Sequence, residues 1–226
     1  SKIDLAVSGW NYSSITGRTY IFYNDGSIPT TAATADVIIT GNAGADRFGW
    51  AVEAGDFNVD GRTDLAVSAD GISRLYVFYN DGSIPTTAAT ADVMITGQGS
   101  LLGRSLTSGD INGDGRTDLI AKDTTDVYVY HSRDGYAWRT QDLSPATGQR
   151  VSQNIFGQEI RTSGENREDY FGGSLATGDL NADGKIDLVV SASSYSSSTG
   201  RAYIFYNDGS QSGSASSADV IITGNA

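Results

Sequence analysis

The stretch DFNVDGRTDLAVSA, residues 56–69, places three aspartates and an asparagine within nine residues. It then continues with alternating apolar positions, a pattern typical of a half-buried β-strand. Carboxylates crowded together at the start of a strand repel one another until a cation binds between them. The stretch therefore supports two linked predictions: a β-strand that follows the acidic residues, and a metal ion held by the loop before it.

Three motifs recur along the chain, which is the signature of a repeat architecture. The equivalent residues Asp36 and Asp219 are 183 positions apart over three repeats, so the mean period is 61 residues. The copies are DFNVDGRTDLAVSA (56–69), DINGDGRTDLIA (110–121) and DLNADGKIDLVVSA (179–192); GRTYIFYNDGS (17–27), SRLYVFYNDGS (73–83) and GRAYIFYNDGS (200–210); and TADVIITGNA (34–43), TADVMITGQG (90–99) and SADVIITGNA (217–226).

Each repeat reads as four short strands. In the last repeat the predicted strands are 171–178, 187–193, 201–207 and 219–223, all rich in β-branched or aromatic residues. The NDG triplet that follows Tyr206 is a turn signal, because Asn, Asp and Gly tolerate positive φ. No segment carries a comparable helical pattern, so the sequence predicts an all-β fold.

Four antiparallel strands per unit, repeated radially, are the design of a β-propeller. We predict a β-propeller of four-stranded antiparallel blades with approximate bounds 1–42, 43–97, 98–160 and 161–226. The first blade lacks its innermost strand, which gives three complete blades, one three-stranded blade and fifteen strands. The main alternative is a solenoid, although 61 residues is long for one rung. Segment 134–169 is irregular, and its part VSQNIFGQEI (151–160) is expected to hold the outer strand of the third blade.

Composition excludes several function classes. The formal charge is −12, from 15 basic and 27 acidic residues, which argues against a nucleic-acid or anionic-membrane partner. There is no cysteine and one histidine, His131, so thiolate metal sites and zinc sites with several His ligands are excluded. His131 follows the alternating segment VYVY and reads as a strand-end residue. We therefore predict that the chain is not an enzyme. No apolar run approaches the roughly 20 residues of a membrane helix, so no membrane insertion is expected.

The acidic loop repeats with constant spacing. Counting from its first aspartate, oxygen-bearing side chains lie at positions 1, 3, 5 and 9, glycine lies at position 6, and position 7 would contribute its backbone carbonyl. Ca²⁺ takes six to eight oxygen ligands, which alternate residues of a tight loop can supply. The predicted ligand residues are Asp56, Asn58, Asp60, Arg62 and Asp64; Asp110, Asn112, Asp114, Arg116 and Asp118; and Asp179, Asn181, Asp183, Lys185 and Asp187. Three Ca²⁺ sites are therefore expected; the alternative is a plain acidic turn without metal.

The loops are not EF-hands. An EF-hand has a glutamate at position 12 and helices on both sides. Position 12 is Val67, Ala121 and Val190 here, each within a strand pattern. A strand–loop–strand calcium site is the remaining interpretation.

Two longer stretches of the sequence resemble a known family of repeats. RFGWAVEAGDFNVDGRTDLAVSA (47–69) and YFGGSLATGDLNADGKIDLVVSA (170–192) resemble the FG-GAP repeats of integrin α-subunit propellers and their bacterial relatives. The Phe-Gly element is present at 48–49 and 171–172 and is Leu-Gly at 102–103. The proline of the Gly-Ala-Pro element is absent. The resemblance covers most of the chain except about 134–169.

The resemblance implies a structural role for calcium on one face of the disc and a partner on the other. The implied partner face comprises the connections 8–18, 69–73, 122–126, 191–201, 41–47, 97–102 and 161–169. Trp10, Tyr12, Trp50 and Tyr195 supply aromatic side chains there or nearby. Aromatic residues are common anchors of binding surfaces, although packing also accounts for them.

These observations lead to one main functional hypothesis and two alternatives. The main one is a calcium-binding propeller that acts as an extracellular or cell-surface adhesion or protein-interaction module. The alternatives are a carbohydrate-binding, lectin-like propeller and the propeller part of a secreted hydrolase, because the repeats also resemble the propeller of a glycolipid-anchor phospholipase. The missing inner strand is expected to come from a second copy or from a longer parent chain.

Overall fold

The computed structural model describes residues 4–97, 100–132, 160–165, 169–208 and 214–225. Within these ranges fifteen strands form four antiparallel sheets, in which strands adjacent in sequence are adjacent in the sheet. The all-β prediction is therefore confirmed.

The first sheet contains β1 (Leu5–Gly9), β2 (Arg18–Phe22) and β3 (Val37–Thr40). The second contains β4 (Phe48–Gly55), β5 (Asp64–Ala69), β6 (Arg74–Phe78) and β7 (Val93–Thr96). The third contains β8 (Leu106–Gly109), β9 (Asp118–Lys122), β10 (Asp126–Tyr130) and β11 (Ile160–Ser163). The fourth contains β12 (Phe171–Gly178), β13 (Asp187–Ala192), β14 (Arg201–Phe205) and β15 (Val220–Thr223).

Short helical turns connect some strands. Two four-residue helices, α1 (Tyr12–Ile15) and α2 (Tyr195–Ser198), follow β1 and β13. Single 3-10 turns lie at Ala32–Thr34, Asp70–Ile72, Ala88–Thr90 and Ala215–Ser217. None of them contributes a layer to the fold.

The outer strand of the third sheet lies later than expected. The predicted stretch 151–160 lies outside the described residues except for Ile160. The strand that pairs with β10 is Ile160–Ser163, with Val129 opposite Ile160 and Asp126 opposite Ser163. The third sheet therefore ends at Ser163, three residues beyond the predicted boundary.

The sheets pack face to face in the order of the sequence. β1 contacts β4, β4 contacts β8, and β8 contacts β12. Because both faces of the inner sheets are covered, β5 alternates its apolar side chains between two cores: Leu65 and Val67 face the first sheet, and Ala66 faces the third. A third core joins sheets three and four. The edge strand β1 lacks this cover, and Leu5 and Val7 are 41% and 44% exposed, whereas Leu65 and Val67 are 4% and 0% exposed.

The Phe-Gly element places an irregularity at the start of the first strand. In β4 the register shifts between Phe48, opposite Ala69, and Val52, opposite Val67. Gly49 has φ +82° there, and the Ala51 N–H donates to Ser68 Oγ at 2.9 Å. The serine of the Val-Ser-Ala element thus satisfies a backbone donor that the shifted ladder leaves free.

Candidate metal centres and the opposite face

The three acidic loops adopt one conformation. They connect β4 to β5, β8 to β9 and β12 to β13, on one side of the sheets. In the first loop Asp56 accepts backbone N–H groups from Asp60 and Gly61 at 3.0 and 2.9 Å. Asn58 Oδ1 also accepts the Asp60 N–H, at 3.0 Å, and Asp60 Oδ1 accepts the Arg62 N–H at 2.8 Å. The loop is therefore wound around its own side-chain oxygens.

The same bonds recur at the same positions of the other two loops. Asp110 and Asp179 accept the N–H groups of positions 5 and 6 at 2.7–3.1 Å. Asn112 and Asn181 accept the position 5 N–H at 2.9 and 3.0 Å. Asp114 and Asp183 accept the position 7 N–H at 3.0 and 2.9 Å. A sequence spacing shared by three loops thus gives a shared local geometry.

The aspartate at position 9 has a second role. It is the first residue of the second strand, and Asp64, Asp118 and Asp187 are 1%, 0% and 0% exposed. Asp64 Oδ2 accepts the Phe57 N–H at 3.0 Å, and its Oδ1 accepts the Asn80 N–H at 2.8 Å. Both carboxylate oxygens are therefore bonded to the backbone, one within the loop and one at the turn after β6.

Burial disfavours the ionised form of the Asp64 carboxyl. Burial has the largest effect on the pKa of the Asp64 carboxyl and raises it, the N–H bonds of Asn80 and Phe57 lower it, and the nearby Asp60 charge raises it; the resulting pKa is about 6. A bound cation would favour the ionised form.

The donor chemistry fits a hard cation. Each loop offers only oxygen from its predicted side-chain ligands, which Ca²⁺ prefers. A carboxylate oxygen that accepts one N–H retains a second lone pair for a metal ion. In the described ranges, however, no three His, Cys, Asp or Glu side chains come together closely enough to form a metal-binding group. The loops are thus similar in donor type and spacing to calcium loops, with their oxygens engaged by backbone N–H groups.

The basic side chains at position 7 lie along the outside of the loops. Arg62 Nη1 donates to the Asn80 carbonyl at 3.3 Å, and Lys185 Nζ donates to the Asn207 carbonyl at 3.0 Å. The side chains thus connect the loop to the turn after the third strand. The predicted use of the position 7 carbonyl as a ligand stays a prediction.

His131 contacts residues of the second acidic loop, and this contact was not predicted from the sequence. It follows β10 as expected, but it is 5% exposed, with Nδ1 2.9 Å from Asp118 Oδ2 and 3.3 Å from Asn112 Nδ2. Ser132 donates its hydroxyl to the Thr117 carbonyl, and its N–H bonds to Asp118. The arrangement packs the histidine against the loop and does not pair it with the neighbouring serine hydroxyl.

The opposite face carries stacked arginines. The Arg18 guanidinium lies 3.8 Å from the centre of the Tyr12 ring, and the Arg201 guanidinium lies 3.6 Å from the Tyr195 ring. Arg201 Nη1 also bonds both oxygens of Glu165, at 2.9 and 3.1 Å. Planar stacking of this kind holds the guanidinium in place.

All four predicted aromatic residues lie on this face. Trp10 and Trp50 form a pair with ring centres 5.2 Å apart, and Tyr12 and Tyr195 support the arginines described above. Two arginines beside the tryptophan pair, Arg47 and Arg104, were not predicted as site residues from the sequence. In the sequence Arg47 is the last residue of the connection 41–47, and Arg104 lies two residues after the connection 97–102; no other feature of the sequence marks them.

Comparison with known proteins identifies the class. A model of the FG-GAP-like repeat matches residues 56–121, and a model of the FG-GAP repeat matches residues 171–205. The first match begins at Asp56, the first residue of an acidic loop, and the second begins at Phe171, in the Phe-Gly element of β12. The chain therefore contains FG-GAP repeats in these two stretches and resembles the integrin α-subunit propeller.

The individual relatives cover the chain to different extents. Integrin alpha pat-2 of Caenorhabditis briggsae is 29% identical over 158 residues, which is 65% of this chain and 13% of the relative. Integrin alpha-4 of Xenopus laevis is 29% identical over 208 residues, 82% of this chain and 18% of the relative. Phosphatidylinositol-glycan-specific phospholipase D of Bos taurus is 33% identical over 136 residues, 52% of this chain and 16% of the relative. The chain thus spans less than a fifth of the length of each of these three relatives.

The helices are short throughout the described ranges. None of them has the length and apolar character needed to cross a bilayer.

Proposed function

We propose that this chain is a segment of a calcium-stabilised β-propeller that acts as an extracellular or cell-surface protein-interaction module. The observation that carries the calcium part is the set of three loops with one ligand spacing and one hydrogen-bond pattern. Their carboxylates carry like charge, so bound Ca²⁺ would relieve the repulsion between them. In each loop Asp, Asn, Asp and Asp at positions 1, 3, 5 and 9 would hold the ion.

The interaction part is supported by the relatives and by the surface. Integrin α-subunits contain FG-GAP repeats, and the face opposite the loops carries stacked arginine and tryptophan side chains. Tryptophan, tyrosine and arginine are the residues most enriched among binding hot spots.

Native mass spectrometry and thermal unfolding of the whole chain test the calcium part. With calcium present, we expect three bound ions and a higher Tm, and chelation should remove both. The same spectra report whether calcium promotes a dimer, as a ring completed between copies would require. A chain that binds no calcium and keeps its Tm after chelation would contradict the proposal.

The carbohydrate-binding alternative rests on the exposed Trp10 and Tyr12, 37% and 40% exposed, beside polar loops. Aromatic faces pack well against sugar rings. A glycan array with one sharp specificity would favour it. The phospholipase relative keeps a third possibility, the propeller of a larger hydrolase, which an adjacent catalytic domain in the parent gene would support.

A further inference from the structure

An aromatic–arginine cluster, formed by Trp10, Arg47, Trp50, Asp70 and Arg104, lies where the first three sheets meet on the face opposite the acidic loops. Trp10 follows β1, and Trp50 is the third residue of β4; their ring planes are inclined at 44°. The guanidinium carbons of Arg47 and Arg104 each lie 5.6 Å from the Trp50 ring centre. Arg47 is also 6.0 Å from the Trp10 ring.

The two arginines share one carboxylate. Asp70 Oδ2 is 3.6 Å from Arg47 Nη1 and 3.5 Å from Arg104 Nε, and the Asp70 side chain is fully buried. Its Oδ1 has no hydrogen-bond partner in the structure. One carboxylate balances only one of the two guanidinium charges, and these arginine side chains are 36% and 37% exposed. The cluster therefore presents positive charge to solvent on a chain whose formal charge is −12.

Two further carboxylates, Asp46 and Asp123, are 7% and 4% exposed, and their recorded hydrogen bonds go to groups other than the two arginines. Asp46 accepts the Ala43 N–H at 3.0 Å. Asp123 accepts the Thr125 and Asp126 N–H groups and the Tyr128 hydroxyl. Lys122, 4% exposed, adds a further positive charge near Arg104.

The fold does not require these side chains. At the position of Arg47 the third and fourth sheets have Leu101 and Tyr170, and all three residues keep positive φ, at +56°, +68° and +52°. At the position of Trp50 they have Arg104 and Gly173. Positive φ in non-glycine residues costs energy and is retained where the surroundings enforce it. The backbone is therefore constant, whereas the side chains that it presents differ between repeats.

The same face shows which group a stacked arginine binds. Arg201, stacked on Tyr195, bonds both oxygens of the glutamate side chain of Glu165. Carboxylates match the planar fork of arginine better than other common anions of proteins, apart from phosphate. This internal pair shows, within the same face, a stacked arginine that holds the carboxylate of a glutamate side chain, which is the group that an acidic peptide would offer.

We infer that the aromatic–arginine cluster is a binding site for an acidic peptide segment of a partner protein, with a Glu or Asp carboxylate held between Arg47 and Arg104 and apolar parts of the segment against the tryptophan pair. Asp70 is a positioning residue, because its buried carboxylate contacts both guanidinium groups. The inference rests on the proposed interaction function but not on calcium binding.

Fluorescence anisotropy of the whole chain tests the site. The probe is a fluorescein-labelled peptide of alternating Glu and Gly, and its matched control has Gln in place of Glu. We expect saturable binding of the Glu peptide and no binding of the Gln peptide. The double variant Arg47→Gln/Arg104→Gln should weaken binding at least about tenfold. Arg47→Lys/Arg104→Lys should also weaken it, because the charge is kept while the planar fork is lost.

A matched variant separates a site from general charge attraction. Arg74→Gln/Arg201→Gln removes two arginines of the same face but outside the cluster, and binding should stay within about twofold. Equal losses in the two double variants, or no binding of the Glu peptide, would overturn the inference. Tighter binding of an oligogalacturonate than of the Glu peptide would replace the peptide with an acidic glycan. Circular dichroism and Tm establish that each variant is folded, and loss of calcium binding alone would count against the proposed metal sites and not against this one.

Discussion

The carboxylate of Asp64 accepts a hydrogen bond from the backbone N–H of Asn80, 2.8 Å away, and so joins the acidic loop to the turn that follows β6. The other sheets repeat the contact between Asp118 and Ser132 and between Asp187 and Asn207, at 2.9 and 3.0 Å. The first sheet has it between Asp4 and Asn24, at 2.8 Å. The ninth position of the loop is therefore a structural tie as well as a candidate metal ligand.

Replacing this tie should destabilise the chain even without calcium. In Asp64→Asn one of the two backbone N–H groups loses its acceptor in a buried place, which costs about 1–3 kcal/mol. Removal of a carboxylate whose charge is disfavoured by burial offsets part of that cost. Urea unfolding at neutral pH with a chelator present measures the loss. The exposed Asp60→Asn should change the free energy of unfolding by about 0.5 kcal/mol or less under the same conditions. Equal effects of the two substitutions would mean that the Asn80 contact contributes little.

If the loop binds calcium, replacing an exposed ligand should destabilise the chain only when calcium is present. Asp60→Ala removes a candidate ligand from the surface of the loop, so its cost should be present with calcium and nearly absent after chelation. We expect native mass spectrometry to show one bound ion fewer, and a Tm about 2–4 °C below that of the unmodified chain in calcium. Asp81→Ala, which removes an exposed aspartate of the neighbouring turn, is the matched control. An unchanged ion count in Asp60→Ala would exclude this loop as a calcium site.

The repeat units and their strands could be predicted from the sequence because the determinants are local. Period-two alternation identified all four strands of the last repeat. The position 9 tie could not be predicted in the same way. Its N–H donor at Asn80 lies 16 residues from Asp64, and only the pairing of β5 with β6 brings them together.

The aromatic–arginine cluster on the opposite face could not be predicted from the sequence either. Arg104 and Asp70 are 34 residues apart and belong to different repeats, and the tryptophan pair joins two different sheets. The contact of His131 with Asp118 could not be predicted for a related reason, because the equivalent positions hold Tyr79 and Tyr206. Contacts between repeats depend on how the sheets pack, which a repeating pattern alone does not specify.

The glycine of the Phe-Gly element should be irreplaceable. Gly103 has φ +87°, and an added Cβ would lie 2.3 Å from Ser68 Cβ and 2.6 Å from Leu75 Cδ2 in the next sheet. Gly103→Ala should therefore lower the free energy of unfolding by about 3 kcal/mol, from overpacking and backbone strain together. Gly178→Ala is the control, because its φ is ordinary and no atom lies within 4 Å of the added Cβ. Chemical denaturation of the two variants should separate them clearly; similar stabilities would show that the inner strands have room to move apart.

The buried Lys122 gives a prediction about pH. Burial lowers the pKa of its ammonium group from the ordinary 10.5, and the Arg104 charge lowers it further, while Asp123 raises it. Between the lowered pKa and 10.5 the unfolded chain binds more protons than the folded chain, so the contribution of Lys122 to the free energy of unfolding rises with pH across that window. Below the lowered pKa the ammonium is charged in both states and its burial is unfavourable.

Lys122→Met removes the charge and keeps a long, flexible side chain. At neutral pH we expect it to raise the free energy of unfolding by about 1 kcal/mol. The advantage over the unmodified chain should shrink as pH approaches 10.5, because the native lysine then becomes neutral without cost. Urea unfolding at several pH values measures this difference, with the exposed Lys185→Met as the control that should show no such trend. A Lys122→Met variant that is less stable at every pH would mean that the ammonium has a favourable partner that outweighs its burial.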